Sequence, residues 1–360
     1  MSRVEKSGLY CPNPFGEFDQ ILLAHGSGGR LMLQLLDNVI MRIFDDSLMH
    51  QGHDGSLLEP PHSRLIMTTD SYVVRPLFFA GGDIGTLAVN GTVNDLAMCG
   101  ARPLYMSVGL ILEEGLPVSI LEQVLLSMKS AAQCTGIRIV TGDTKVVERG
   151  RCDGMYINTT GIGGLEAENQ ISAAQICLGD AIIVSGDIGR HGMAVMSARE
   201  GFSFSRPIQS DCAPLWESVK FLLDANIDIH CMRDITRGGL ASVVKELAAA
   251  CKLQFSLIEK NIPVDSEVRS ACEVLGIDPL HVACEGRYVL FVPGNSAETA
   301  VSLLNRYYCE NGDRMGNSQF QAGVIGEVIP GKSGIVTLRT TIGGNRLIEP
   351  PSGEILPRIC

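Results

Sequence analysis

Strand-like runs and helical stretches interleave along the whole sequence, and this alternation restricts the fold to a mixed α/β or α+β class. An apolar helical stretch is predicted over residues 31–44, then a strand over 65–70 that ends on an acid. A helix over 84–99 stops at Gly100. Strands follow over 104–112, 137–141 and 155–162, with a helix over 119–134 between the first two. The pattern restarts with a strand over 181–185, after a boundary placed near residues 171–178. The clearest helical period lies over 240–251. There Leu240, Val243, Val244, Leu247, Ala248 and Cys251 recur at i, i+3, i+4, i+7, i+8 and i+11 and form one apolar face. Further strands are read over 288–292, 323–328 and 335–340. At 360 residues the chain exceeds one typical core. The division expected is an N-terminal domain over 1–170, a C-terminal α+β domain over 171–340 and a tail over 341–360.

Charge and cysteine usage exclude several function classes. The net charge of −11 disfavours nucleic acid or an anionic membrane as partner. A polyanionic substrate would need a divalent metal beside it. No run approaches the roughly eighteen apolar residues of a membrane span. The N-terminus carries no secretory apolar core. The twelve cysteines are scattered without a C-x-x-C pair, which favours reduced thiols in a cytoplasm.

Four acids share one setting, in or beside a turn or element end and next to small residues. They are Asp54 in His53-Asp54-Gly55, Asp70, Asp95 in Val93-Asn94-Asp95, and Asp234 before Gly238-Gly239. Their oxygens suit a hard cation such as Mg²⁺ that bridges to phosphates. Each also has a plainer reading: Asp234 as a helix cap, Asp54 as an Asx turn. The segment His25-Gly26-Ser27-Gly28-Gly29 could close over phosphates with backbone amides, yet it lacks the Gly-Lys-Ser/Thr ending of a Walker loop. Lys145 follows a strand at a glycine turn and could stabilise charge on an oxygen. Glu285 precedes another strand and could remove a proton. Pattern alone favours solvated or paired surface charges for both. Asp83 lies eleven residues before Asn94, about 16 Å along a helix, and is read as the helix cap.

The sequence ends on Cys360, carried by an arm with prolines at 350, 351 and 357. Prolines stiffen such an arm and bar it from a helix. Its fourteen residues could span roughly 45 Å. A thiolate there is a good nucleophile for a carbonyl group.

Taken together, the segments resemble a known family. Thr69-Asp70-Ser71, Gly82-Asp83-Ile84-Gly85, Asn94-Asp95-Leu96, Thr141-Gly142-Asp143-Thr144-Lys145, Gly186-Asp187-Ile188-Gly189-Arg190-His191-Gly192, Arg233-Asp234-Ile235-Thr236-Arg237-Gly238-Gly239, Ala283-Cys284-Glu285-Gly286 and terminal Pro357-Arg358-Ile359-Cys360 resemble the HypE hydrogenase maturation factors. That family belongs to the aminoimidazole ribonucleotide synthetase and selenophosphate synthetase superfamily. The terminal Pro-Arg-Ile-Cys is the most specific element.

The resemblance implies a two-domain, aminoimidazole ribonucleotide synthetase-like fold, with N-terminal sheets pairing into a barrel-like homodimer. It implies ATP and Mg²⁺ as cofactors, with Asp70, Asp95, Asp234 and Asp54 on the metal. His25, Gly26, Gly28, Gly29, Asn94 and Asp143 would lie around the nucleotide. Cys360, Lys145 and Glu285 would carry the chemistry. Cys360 would be carbamoylated by way of the carbamoyltransferase HypF, and its carboxamide dehydrated to a thiocyanate. The cyano group would pass to iron on HypC–HypD. Two alternatives are another ATP-dependent synthetase of the superfamily and a non-catalytic scaffold that presents its tail.

Overall fold

A computed structural model describes residues 18–26, 30–47, 56, 58–201, 204, 206–311, 321–350, 356 and 359–360. A 3-10 turn, Leu23–Gly26, precedes one long helical stretch. It begins as α1 (Arg30–Leu35), passes through a π-helical segment (Leu36–Met41) and closes as α2 (Arg42–Phe44). Leu35, Val39, Ile40 and Ile43 form its buried face.

The first half then lays down β1 (Leu65–Tyr72), the short hairpin β2 (Phe78–Phe79) and β3 (Gly82–Asp83), and α3 (Ile84–Met98). β4 (Ala101–Glu113), α4 (Val118–Thr135), β5 (Arg138–Val147) and β6 (Met155–Leu165) follow. The strands form a four-stranded sheet in the order β1-β6-β4-β5. Only β4 and β5 are parallel, and α4 makes their crossover. α3 is buried nearly all round, so it reads as a core helix without an amphipathic stripe. Asp83 starts it: the carboxylate accepts from the amides of Gly85 and Thr86 at 2.7 and 3.1 Å. The hydroxyl of Ser127 on α4 donates to the same carboxylate. Gly85 is needed beside it, because a Cβ there would meet the Val124 carbonyl oxygen at 2.5 Å.

Along β1 the side chains alternate. Ile66, Thr68, Asp70 and Tyr72 turn inward, while Leu65, Met67, Thr69 and Ser71 are exposed. α3 and α4 cover the inner face. Among the described residues no element covers the outer one, where Met67 is 72% exposed.

The second half comprises β7 (Asp180–Val184), α5 (Arg190–Glu200), α6 (Trp216–Asp224), β8 (Cys231–Asp234), α7 (Gly239–Cys251) and β9 (Gln254–Ile258). It continues with α8 (Ser266–Leu275), β10 (Tyr288–Pro293), α9 (Ala297–Asn311), β11 (Gly323–Ile329), β12 (Val336–Arg339) and β13 (Asn345–Leu347). Its seven strands run in the order β13-β12-β9-β11-β7-β10-β8, with β12 parallel to β9. β7 is buried along its whole length. The periodic helix predicted over 240–251 is α7, and Leu240, Val243, Val244, Leu247 and Ala248 are its buried face. One cluster of buried apolar side chains runs through both halves, from Leu87 and Val93 on α3 to Leu215, Trp216 and Val219 about α6.

One expectation is corrected. The strand read over 137–141 runs on to Val147, so Lys145 sits within β5 opposite Ile111. Gly142 does not turn the chain. It permits β5 to pass close to β4, since a Cβ there would collide with the carbonyl oxygen of Val108.

Asp83→Ala removes a carboxylate that holds two helix amides and two hydroxyls, those of Thr86 and Ser127. A stability loss of about 1–2 kcal/mol is expected in denaturant unfolding. An unchanged midpoint would show that α3 does not depend on this cap.

Candidate active site at the seam between the two sheets

The seam is built around Asn94. This side chain is 1% exposed, so its polar atoms need partners. Its amide donates to the carbonyl oxygens of Ala213 at 3.1 Å and Glu285 at 3.2 Å. Its carbonyl accepts from the amide of Leu215 at 2.8 Å. Asn94 was expected near the nucleotide. Its polar groups instead join α3 to two segments of the second half.

Asp95 is the next residue of α3 and accepts from the Thr68 hydroxyl at 2.7 Å. Thr68 and Asp70 share the inner face of β1. Asp234 ends β8 and is buried. Glu285 is 4% exposed, and its amide donates to Asp211 at 3.1 Å. The segment after it is held by a buried ion cluster. Asp187 meets Arg190 at 2.7 Å and Arg287 at 2.9 Å, and Arg287 also donates to the Gly286 carbonyl oxygen at 2.7 Å.

The acids act on one another. Burial pushes the Asp234 carboxyl up to about 7, with Asp95 and Asp70 adding to the rise. Burial also raises Asp95, and the charge of Asp70 adds to it. Glu285 lies well above the usual carboxylate range, first through burial and then through Asp234, Asp211, Asp70 and Asp95. Its Oε1 has no hydrogen-bond partner among the described residues. Hard oxygen donors under mutual repulsion fit a divalent cation, which relieves the repulsion by binding. Among the described residues no three His, Cys, Asp or Glu side chains already form a metal-ligand set.

The tail ends at this cluster, which the sequence left open. Leu356 and Ile359 are buried and Cys360 is half-buried. The amide of Val73, just past β1, donates to the terminal oxygen of Cys360 at 3.3 Å. Burial raises the thiol's pKa, and Glu285, Asp70 and Asp234 raise it further while Arg237 opposes them. The fields of Glu285, Asp70 and Asp234 thus reach Cys360, and those of Asp234, Asp70 and Asp95 reach Glu285.

Other candidates lie elsewhere. The His25 ring is buried, stacks edge-on to Phe18 and accepts from the Leu22 amide at 3.0 Å. Gly26 packs on β5, where a Cβ would meet the Val146 nitrogen at 2.8 Å. Both residues thus serve the packing of the 3-10 turn. Gly28, Gly29 and Asp54 lie outside the described residues. Lys145 and Asp143 are exposed on the outer face, 3.5 Å apart. They stand on β5, three strands from β1, or roughly 14 Å across the sheet. One chain does not bring Lys145 to Cys360.

Sequence reasoning missed Asp211, His191, Arg233 and Arg237 as members of this neighbourhood. The last three lie in segments already singled out for the family resemblance. Asp211 lies in none, and only the fold reveals it.

Residues 52–165 match the N-terminal domain of the AIR synthase related proteins and residues 178–339 match their C-terminal domain. With two sheets and acids at their seam, the chain is a two-domain protein of that class. Carbamoyl dehydratase HypE of Azotobacter vinelandii is 44% identical to it over 338 residues, 94% of this chain and 96% of the relative. The crystal structure of hydrogenase maturation protein HypE in complex with ATP is similar with a TM-score of 0.88 at 44% identity, covering 94% of this chain and 99% of that one. A chain of the HypE–HypF complex is similar with a TM-score of 0.74 at 42% identity, over 88% of this chain and 99% of that one. The chain belongs to the HypE family of carbamoyl dehydratases.

Asp187→Ala would leave Arg190 and Arg287 buried without their shared carboxylate. A loss of about 3–5 kcal/mol is expected from denaturant titration. A loss under about 1 kcal/mol would show that the cluster does not brace the Glu285 segment.

Proposed function

We propose that this chain dehydrates a carboxamide carried on its own terminal cysteine to a thiocyanate, using ATP. The observation that carries this reading is the docking of Cys360 beside Glu285 and the acids Asp70, Asp95 and Asp234. The ATP complex of a HypE relative supports the choice of nucleotide.

Loss of water from a primary carboxamide is slow because its oxygen leaves poorly. Transfer of the γ-phosphoryl group to that oxygen releases ADP and, as the nitrogen loses its first proton to solvent, gives an S-linked imidate phosphate. The nitrogen then gives up its remaining proton, the C–O bond breaks, phosphate departs and the C≡N bond forms. Magnesium held by Asp70, Asp95 and Asp234 would neutralise the triphosphate and the field of these acids. Glu285 is raised first by burial and then by that field. Neutralising the field would remove the second part and ease transfer of the nitrogen proton to Glu285. Cys360 is the carrier and does not attack in this step.

Carbamoylation of Cys360 requires a donor enzyme. The HypE–HypF complex among the similar structures supports HypF in that role. The cyano group would then pass to iron on HypC–HypD as a cyanide ligand of a [NiFe] hydrogenase. We place the reaction in the cytoplasm. The outer face of the first sheet is the surface proposed to pair two chains into a barrel-like dimer. Lys145 lies on that face, so its role in stabilising the developing oxygen charge would be exerted across the dimer.

Incubation of the S-carbamoylated chain with Mg-ATP should remove the mass of one water from the C-terminal peptide. An unchanged mass would leave only a tail-presenting scaffold. Cys360→Ala should abolish thiocyanate while ATP affinity stays within about twofold. Glu285→Gln should slow product formation by about 10²–10⁴-fold. In an equal, freely exchanging mixture of the inactive Lys145→Ala and Glu285→Gln chains, recovery of about a quarter of the activity is expected if Lys145 acts in trans. No recovery would rule out that trans role.

A further inference from the structure

The docked tail is held at its penultimate residue by one imidazole. His191 is the second residue of α5 and is fully buried. Its Nε2 lies 2.5 Å from the carbonyl oxygen of Ile359. A carbonyl oxygen only accepts, so Nε2 carries the proton. Nδ1 lies 2.9 Å from the Ser210 hydroxyl. Burial disfavours the charged imidazole, so Nδ1 is bare and accepts from Ser210.

Ser210 is itself fixed from both halves. Its amide donates to the carbonyl oxygen of Ala80 at 2.7 Å, and its Oγ accepts from the Cys212 amide at 3.0 Å. Gly81, at φ +89°, lets the hairpin turn approach, since a Cβ there would meet the Ser210 nitrogen at 2.8 Å. The Phe79 ring stands edge-on to the imidazole at 5.3 Å. Gly192, the next residue, lets α5 pack close to Val282, where a Cβ would meet the Val282 Cγ1 at 2.6 Å. The ring therefore has one orientation, one tautomer and one free donor, and that donor faces the tail.

We propose that His191 is a positioning residue: a latch, set by Ser210, that holds the tail by the Ile359 carbonyl and so places the Cys360 sulfur beside Glu285. The latch reads backbone, so it holds the tail equally whether the sulfur is free or carries its carboxamide. With both nitrogens engaged, His191 takes no proton in the reaction. The positional claim rests on the proposed dehydration, but docking itself does not.

Two readouts separate the two. The first is the rate at which iodoacetamide alkylates Cys360 in the full chain without nucleotide, followed by the mass of the C-terminal peptide. His191→Ala should raise that rate about tenfold, equivalent to about 1.4 kcal/mol of docking. Ser210→Ala should raise it about threefold. His191→Gln keeps a donor of similar reach and should stay within about twofold of wild type. Exposed Cys134 gives the reference alkylation rate and buried Cys284 reports global opening, and neither should change. An unchanged Cys360 rate in His191→Ala, or a Gln variant as fast as the Ala variant, overturns the latch. Should His191→Ala also expose Cys284, the decision passes to Ser210→Ala, where an unchanged rate overturns it. The second readout is single-turnover dehydration of the carbamoylated chain. His191→Ala should slow it about tenfold with ATP affinity unchanged. Failure of the wild type to dehydrate overturns the functional reading and leaves the alkylation result standing.

Discussion

Carboxyl groups that repel one another are gathered where the two sheets meet, and the rest of the architecture keeps them there. Asp70 comes from β1, Asp95 from α3, Asp234 from β8 and Glu285 from the segment before β10. Nothing in the acids themselves favours this closeness, as the elevated Asp234 and Glu285 carboxyls record. Neutral polar groups and a separate ion cluster hold the backbone instead. Asn94 joins the halves, Asp211 holds the Glu285 amide, and Arg287 fixes the next carbonyl. In the proposed reaction such repulsion would become affinity for a cation and its phosphates.

The tail meets the same constraint from the other side. A free sulfur beside buried carboxylates is kept as the thiol, because burial and Glu285 both disfavour the thiolate. The docked cysteine is therefore a poor nucleophile. On the proposed function, loading with a carbamoyl group would belong to a state in which the tail has left the seam, and chemistry on the loaded group to the docked state. One electrostatic environment would then separate the two stages without a second site.

Much of the fold was legible in the sequence. The period in α7 and the cap at Asp83 follow from local rules, and both hold. β5 was cut short because Gly142 was read as a turn, when its missing Cβ serves the close pass to β4. Asp70, Asp95, Asp234 and Glu285 were each legible as single acids, and the resemblance grouped the aspartates on the metal and set Glu285 with the tail. Asn94 was read as a nucleotide contact, and sequence did not reveal that its polar groups join distant segments. Nor did it reveal that the His25 ring completes a turn with Leu22 and Phe18. Asp211 carries no local signal, because its role exists only once the Glu285 amide is folded against it.

The placement of Lys145 shows what a single chain leaves incomplete. It is near Asp143 in sequence and in space, on an apolar-flanked outer face that includes Met67 and Ile111. The acids lie on the inner side of the same sheet. Residues of opposite orientation on one sheet cannot meet through it, because the pleat fixes alternate side chains to opposite faces. A lysine on the outer face can serve a site only by reaching around an edge or by meeting another chain. β5 is the edge farther from β1, so the role proposed for Lys145 would take the second route, and burial of the outer face would then serve the chemistry as well as stability.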